Sequence, residues 1–337
     1  MPVSASSSWT ADPPCVVAAR WVSAHLYYHG ALDDLLRCAI DPLVDELAEG
    51  GLTDGFFFIR YWQGGPHLRL RVRLRDQADA QPVEKMIEAG TGRFFARCPS
   101  QTLMCSEDYQ RIAERRSRHE FGQRGTMIEP LQPNNSLRYV PYAPEEDRLG
   151  GPAGVAAFEP HFMDSSVLAL ELIDADPDRQ RLTGRALAMM LIAAVVFIPN
   201  PKRLARFFRY SYWNWGTRNA VTDPDRYARY EIQFEQRYER QRVQLDDLVQ
   251  QLVGEARVGV GNHLDGISAR WTRSVAALRD RFTTQQPTQR LSVESRLFQC
   301  LHKHNNRLGI STVEETYLLF LLQRTLTEIA EEKDRNE

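Results

Sequence analysis

Hydrophobic and polar positions divide the chain into two textures. Trp21–His29 carries enough aromatic and β-branched residues to predict a strand, and Ala31–Glu49 then sets Leu32, Leu35, Leu36, Ile40, Leu43, Val44 and Leu47 at helical spacing. Gly50, Gly51 and Asp54 interrupt the chain before Phe56–Trp62, and the Gly64-Gly65-Pro66 turn introduces His67–Arg75, so two consecutive strands follow the helix. This β-α-β-β order points to an open sheet of ferredoxin-like character. Gln81–Phe95 reads as another helix and Cys98–Asn135 as polar, irregular chain with loops and short elements. Ser136–Tyr142 reads as a strand and Ala143–Gly154 as a shaped loop.

Beyond Phe158 the period is helical. Candidates are Ser165–Ile173, Leu182–Ile198, Pro201–Tyr210, Asp225–Leu252, Ile267–Phe282, Leu291–Asn306 and Val313–Glu332, the last opened by a capping box of Ser311 and Glu314 just after Gly309. The expected fold class is therefore α+β. A disordered tail over 1–20, rich in Ser, Ala and Pro, precedes one domain over 21–335, with a sheet lobe at about 21–155 and a helical lobe at about 156–335.

Composition narrows the function classes. At 337 residues with 43% hydrophobic content, the chain can bury a core without disulfides or a structural metal. A net charge of −2, from 42 basic and 44 acidic residues, offers no global attraction to nucleic acid or an anionic membrane. Cys15, Cys38, Cys98, Cys105 and Cys300 are odd in number and contain no CxxC pair, which fits a reduced cytoplasm and disfavours a thiolate metal site. The N-terminus lacks the basic and apolar regions of a signal peptide. The most apolar stretch, Ala186–Ile198, is shorter than the roughly 18 residues of a bilayer span and reads as a buried helix.

The most informative stretch is His67–Arg75. Strand alternation puts His67, Arg69, Arg71, Arg73 and Arg75 on one face, roughly 7 Å apart, where like charges repel unless carboxylates or an anionic ligand lie between them. Two other segments carry candidate chemistry. Tyr142–Gly151 places Arg148 among three acids in a Pro- and Gly-rich turn, either as a guanidinium fork aimed at a carboxylate or as a self-neutralising surface loop. Leu301–Gly309 ends a helix with His302 and Asn306 on one face, while His302 and His304 diverge and make a poor metal pair. Trp213 and Trp215 are either core or a peptide-contacting platform. The chain lacks GxGxxG, GxxxxGK[ST] and GxSxG, so nucleotide-binding and serine-hydrolase readings have no motif.

Four segments in order carry a family resemblance: Phe56–Tyr61 followed by Gly65–Arg71, then Tyr142–Gly151, then Phe158 with Asp164-Ser165, then His302 with Asn306-Arg307-Leu308. Together they resemble the C-terminal, elimination-type domain of LanB-type lantibiotic dehydratases, also known as the thiopeptide-type bacteriocin biosynthesis domain, from about Trp21 to Ile329. The resemblance implies an enzyme that matures a ribosomally made peptide by eliminating glutamate from glutamylated Ser or Thr, leaving dehydroalanine or dehydrobutyrine. It assigns catalysis to Arg69, Arg71, Arg148 and His302; His67, Arg60, Asn306 and Arg307 of the same segments are expected substrate contacts, and Trp213 and Trp215 join them as contacts on their aromatic character alone. It implies neither cofactor nor metal. Implied partners are a leader-bearing precursor peptide and a separate glutamyl-tRNA-dependent glutamylation protein, without direct nucleic-acid or membrane contact, in the cytoplasm.

Leu149 departs from the pattern, since family members more often carry Tyr there. The family also contains thiopeptide pyridine synthases, which join two dehydroalanines in a formal four-plus-two cycloaddition and expel the leader, and this is the alternative reaction. A non-catalytic, leader-binding scaffold is the alternative from another class. A bare Ser or dehydroalanine offers little binding surface, so recognition must come from remote parts of the peptide. Deleting the leader is expected to lower kcat/KM strongly, and equal rates with and without it in a peptide assay would contradict this.

Overall fold

The computed structural model describes residues 20–122, 128–175, 178–258, 266–284 and 291–336. Except for Arg20, the expected tail lies outside the described residues, as does Cys15.

Strand β1 (Trp21–Tyr27) leads into one helical run: α1 (Leu32–Leu35), a π-helical turn (Leu36–Ile40) and α2 (Asp41–Glu49). Pro42 cannot supply the N–H that the Cys38 carbonyl would receive in an α-helix, and the backbone widens just before it. Strands β2 (Thr53–Tyr61) and β3 (His67–Leu74) follow, then helices α3 (Ala80–Arg97) and α4 (Ser106–Phe121) and strand β4 (Ser136–Tyr139). The strand order is β2-β3-β1-β4 with every neighbour antiparallel, which is the ferredoxin-like arrangement.

Register sorts the side chains. Val22, Ala24, Leu26, Phe56, Phe58, Leu68, Leu70 and Val72 share the face that packs with Leu35, Leu36, Ile40, Val83 and Ile87. Burying each such side chain contributes about 1.5–3 kcal/mol. The other face carries Arg69 and Arg71 beside His25 and Tyr27 of β1 and Phe57, Ile59 and Tyr61 of β2.

That second face is covered by α6 (Gly151–Ala175), which packs on β2 through Phe158, Phe162 and Met163. The sequence predicts a loop up to Gly154 and a helix from Ser165. Instead a short helix, α5 (Glu146–Leu149), ends at left-handed Gly150, and α6 starts at Gly151 and runs straight through Pro160. The close approach of α6 to α5 requires Gly154, where a Cβ would sit 1.8 Å from the Leu149 carbonyl oxygen. Helix α4 is a second departure, within the region read as irregular. Its buried stripe is only Tyr109, Ala113 and Ser117, too narrow and too polar to leave a periodic signal.

The remaining helices are α7 (Arg179–Phe197), α8 (Pro201–Thr222), α9 (Pro224–Val258), α10 (Gly266–Thr284), α11 (Val293–Arg307) and α12 (Thr312–Asn336). Among the described residues α7 is the one helix long and apolar enough to cross a membrane. It is packed by α9, α10, α11 and α12, and 61% of its apolar window is buried. The Ser311–Glu314 capping box opens α12 as predicted.

Edge strand β2 would expose backbone groups to strand addition, and side chains of the helical part occupy them. Phe58 N–H donates to Ser166 Oγ (3.2 Å), Arg60 N–H donates to Asn306 Oδ1 (2.9 Å), and Asn306 Nδ2 donates to the Arg60 carbonyl (2.9 Å). Asn306→Ala leaves both Arg60 backbone groups without these partners and is expected to cost about 2 kcal/mol or more. An unchanged urea midpoint would show that the contact does not seal the edge.

Candidate active site

A small, partly enclosed cavity lies between the basic face of β3 and the helices. Arg69 and Arg71 of β3, Phe57 and Ile59 of β2, Tyr142, Glu145 before α5, and Lys303 of α11 line it. The two arginines are brought side by side by strand alternation. Arg71 is 6% exposed. Its Nη2 donates to His25 Nε2 (3.2 Å), and Arg69 Nε donates to His67 Nε2 (3.2 Å) while its guanidinium lies 3.6 Å over the Tyr61 ring.

Both histidines are neutral. Burial, with Arg69 and Arg71 nearby, pushes His67 down to about 3, and burial with Arg71 and His67 pushes His25 to about 2. His67 Nδ1 points at the Gly65 carbonyl (2.9 Å), so Nδ1 carries the proton and Nε2 is the acceptor for Arg69. Burial and Arg69 lower Arg71 to about 10, which leaves it charged near neutral pH. Among the described residues neither Arg69 nor Arg71 has a carboxylate within ion-pair distance. The outer end of the row turns away: Arg75 meets Asp54 at 3.5 Å, and Arg73 Nη2 donates to the Asp54 carbonyl.

Carboxylates do enter from the rim. Lys303 Nζ donates to both oxygens of Glu145 (2.7 Å each), and Arg148 Nη1 lies 3.7 Å from Glu145 and 3.2 Å from Glu120, whose other oxygen accepts from Trp62 Nε1 (2.9 Å). Burial raises Glu145, but Lys303, Arg148 and His302 more than offset this and hold it below the usual carboxylate range. Four cations (Arg69, Arg71, Arg148, Lys303) and two carboxylates (Glu120, Glu145) thus gather at the cavity and its rim, and among the described residues Arg69 and Arg71 are the two of these cations without an ion-pair carboxylate. Such a cavity favours an anion.

His302 lies beyond Glu145, on α11. Its ring is stacked with Phe298 and meets the edge of Trp215 at 5.3 Å, and its Nδ1 is 2.8 Å from Glu315 Oε2. Glu315 is 2% exposed and also accepts from Trp215 Nε1 (3.1 Å) and Asn305 Nδ2 (3.1 Å). Burial raises the Glu315 carboxyl, but His302 and the three hydrogen bonds outweigh it and keep the group below its ordinary range.

The sequence profile of the lantibiotic biosynthesis dehydratase C-terminal region matches residues 21–326. The chain belongs to this family. It is similar in fold to the pyridine synthase TbtD from thiomuracin biosynthesis, with a TM-score of 0.73 at 21% identity over 92% of this chain and 98% of that one. TsrL aligns with a TM-score of 0.64 at 20% identity over 91% and 94% of the two chains. The tRNA-dependent lantibiotic dehydratase MibB from Microbispora sp. 107891 aligns with a TM-score of 0.52 at 19% identity, over 97% of this chain but only 29% of MibB. No curated protein matches in sequence. Membership associates the lantibiotic dehydratase-like chain with the maturation of ribosomally made peptides.

The family's motif residues divide between site and scaffold. Arg69 and Arg71 line the cavity, with His67 beneath them, Arg148 borders it through Glu145, and His302 lies on its far side. Of the other expected substrate contacts, Arg60, Asn306 and Arg307 have partners inside the fold. Arg60 donates to Asp33 (2.5 Å) and to the Arg307 carbonyl (3.0 Å), and Asn306 holds the β2 edge. Arg307 is 0% exposed, with Nε on Ser166 Oγ and Nη1 on the Lys303 carbonyl (3.0 Å each), while its buried Nη2 has no hydrogen-bond partner among the described residues. Trp215 is buried behind His302 whereas Trp213 is 62% exposed, because residues two apart on a helix point in different directions. His304 is a core residue between Ser165, Met189 and Trp271.

Tyr142, Glu145, Lys303 and Glu315 were not singled out from the sequence. The first two stood within a quoted motif and Lys303 beside His302, but Glu315 had no local signal. A further chain, Cys300–His161–Ser274–Asp164, has the look of a nucleophile relay. Cys300 is 0% exposed, burial pushes its thiol up, and burial pushes His161 down to about 3, so the chain is a satisfied core network.

Because Glu145 is lowered in the folded protein, the stability it confers is present above its ordinary value of 4.5 and is lost as pH falls through the lowered folded value. Glu145→Gln is therefore expected to be less stable at neutral pH, with Lys303 buried beside a neutral amide, and to lose less stability below pH 4.5 than the parent. Parallel unfolding curves for the two proteins across this range would contradict the pairing.

Proposed function

We propose that this protein eliminates glutamate from glutamylated Ser or Thr residues of a precursor peptide, giving dehydroalanine or dehydrobutyrine. The observation that carries the reading is the pair Arg69 and Arg71, which line one cavity without an ion-pair carboxylate among the described residues, with His302, its Nδ1 already engaged by Glu315, beyond Glu145 on the far side. His302 Nε2 takes the Cα proton, and the electron pair forms the Cα–Cβ double bond. The Cβ–O bond breaks, and glutamate departs with that oxygen in the carboxylate that had formed the ester. Arg69 and Arg71 stabilise the enolate-like charge and the carboxylate that forms. Arg148, held by Glu120 and Glu145, borders the entrance and orients the glutamyl group. The chemistry calls for no cofactor.

On this reading a separate glutamyl-tRNA-dependent protein installs the glutamate, and the leader of the precursor supplies most of the binding. The free thiols of Cys38, Cys98, Cys105 and Cys300 suit a reducing cytoplasm. A second reaction is favoured by one observation: the fold is more similar to that of the pyridine synthase TbtD, at a TM-score of 0.73, than to that of MibB, at 0.52. In that case the cavity would join two dehydroalanines, and the leader would be expelled. A leader-binding scaffold without catalysis would leave either peptide unchanged.

Two substrates separate these readings: a glutamylated peptide and a peptide already containing two dehydroalanines. Elimination predicts loss of glutamate from the first only, followed by mass spectrometry. Arg69→Ala, Arg71→Ala and Arg148→Ala should accumulate the glutamylated peptide, and His302→Ala should slow turnover about 100- to 10,000-fold. His304→Ala, in contrast, should lower stability through its core contacts. Consumption of only the second peptide, with a pyridine macrocycle and free leader, would replace elimination by cycloaddition.

A further inference from the structure

We infer that Glu315 is a positioning residue for His302, fixing the imidazole with its proton on Nδ1 and its lone pair on Nε2, and stabilising the imidazolium that forms when Nε2 takes a proton. The inference rests on the proposed role of His302 and adds a residue from the next helix to it.

The hydrogen bonds leave one assignment. An ionised carboxylate only accepts. Glu315 Oε2 receives Trp215 Nε1 at 3.1 Å and faces His302 Nδ1 at 2.8 Å, so Nδ1 must be the donor. Oε1 receives Asn305 Nδ2 at 3.1 Å, which completes three donors on a carboxylate that is 2% exposed. With Nδ1 protonated, a neutral imidazole carries its lone pair on Nε2. Rotating the ring by half a turn would put a carbon against Glu315 and forfeit the bond. Phe298 stacked at 7° and Trp215 at 85° wall the ring on two sides.

Charge supports the same conclusion. Among the described residues His302 is the one basic side chain within ion-pair distance of Glu315; Trp215 and Asn305 are neutral donors. A buried carboxylate without a permanent cation is a costly way to gain stability, since the desolvation of the charge is only partly returned by neutral donors. The cost is recovered when His302 becomes cationic, which is the state that follows proton abstraction. Glu315 also stands in the first turn of α12, where the N-terminal end of the helix favours negative charge.

The test uses the full chain with nitrogen-15-labelled histidine, the His302 ring being assigned by its absence in His302→Asn. The parent protein should show His302 as the Nδ1–H tautomer, and Glu315→Ala should move it to the Nε2–H form. Glu315→Gln should keep the fold and the tautomer, because its oxygen still faces Nδ1 and the Asn305 Oδ1, which has no partner, can turn to accept the new amide. It should nonetheless lower kcat about tenfold or more at unchanged KM, since the imidazolium loses its counter-charge. An unchanged tautomer in Glu315→Ala would overturn the inference even if elimination is the reaction. If Glu315→Ala does not fold, the Gln variant decides, and parental kcat in it would equally overturn the inference. The expected tautomer change in a protein that turns over no glutamylated peptide would support the positioning role and count against the proposed reaction.

Discussion

Desolvation of the basic face of β3 is the constraint on which the rest of the structure turns. A row of arginines on a strand is stable in water, but here α6 closes over it, and Arg71 is left 6% exposed with a neutral histidine and an aromatic ring as its nearest company. The surroundings have adjusted to this charge. His25 and His67 give up their protons and become acceptors, Tyr61 offers its ring face to Arg69, and Glu145 approaches only in the grip of Lys303 and Arg148. What remains is a partly enclosed cavity in which Arg69 and Arg71 have no ion-pair carboxylate among the described residues, where an incoming anion meets stronger attraction than at the surface.

Helix α11 is the element that ties this cavity to the fold. From His302 to Arg307 every side chain is committed: His302 and Asn305 to Glu315, Lys303 to Glu145, His304 to Ser165, Asn306 to the edge of β2, and Arg307 to Ser166. The last turn of one helix thus fixes the position of α12, the rim of the cavity, the core and the sheet edge together. Any shift of α11 that misplaced His302 would also break the seal on β2, so the site inherits the rigidity of the core.

The same fold is seen in a pyridine synthase and in a section of a lantibiotic dehydratase, which shows how little the backbone dictates the reaction. What decides it is the set of groups around the cavity. The elimination proposed here would draw on a histidine of fixed tautomer and on cations without an ion-pair carboxylate, and side chains around the cavity can change without disturbing the sheet.

The fold was legible wherever one periodicity dominated: the strands of the ferredoxin-like sheet, the alternating basic row, the capped last helix. It was illegible where local signals conflicted with packing. Pro152 and its neighbouring glycines read as a loop ending at Gly154, yet α6 starts among them and continues past Pro160 because burying its apolar face on β2 outweighs locally unfavourable residues, and α4 hid because its buried stripe is three residues wide. For the site, the sequence by itself determined that Arg69 and Arg71 stand side by side, because strand geometry alone puts them there. It could not determine that Arg60, Asn306 and Arg307 would be consumed inside the fold, nor that Glu315 would meet His302. Those outcomes depend on which groups each side chain meets across the sequence once water is excluded, and only the tertiary structure decided that.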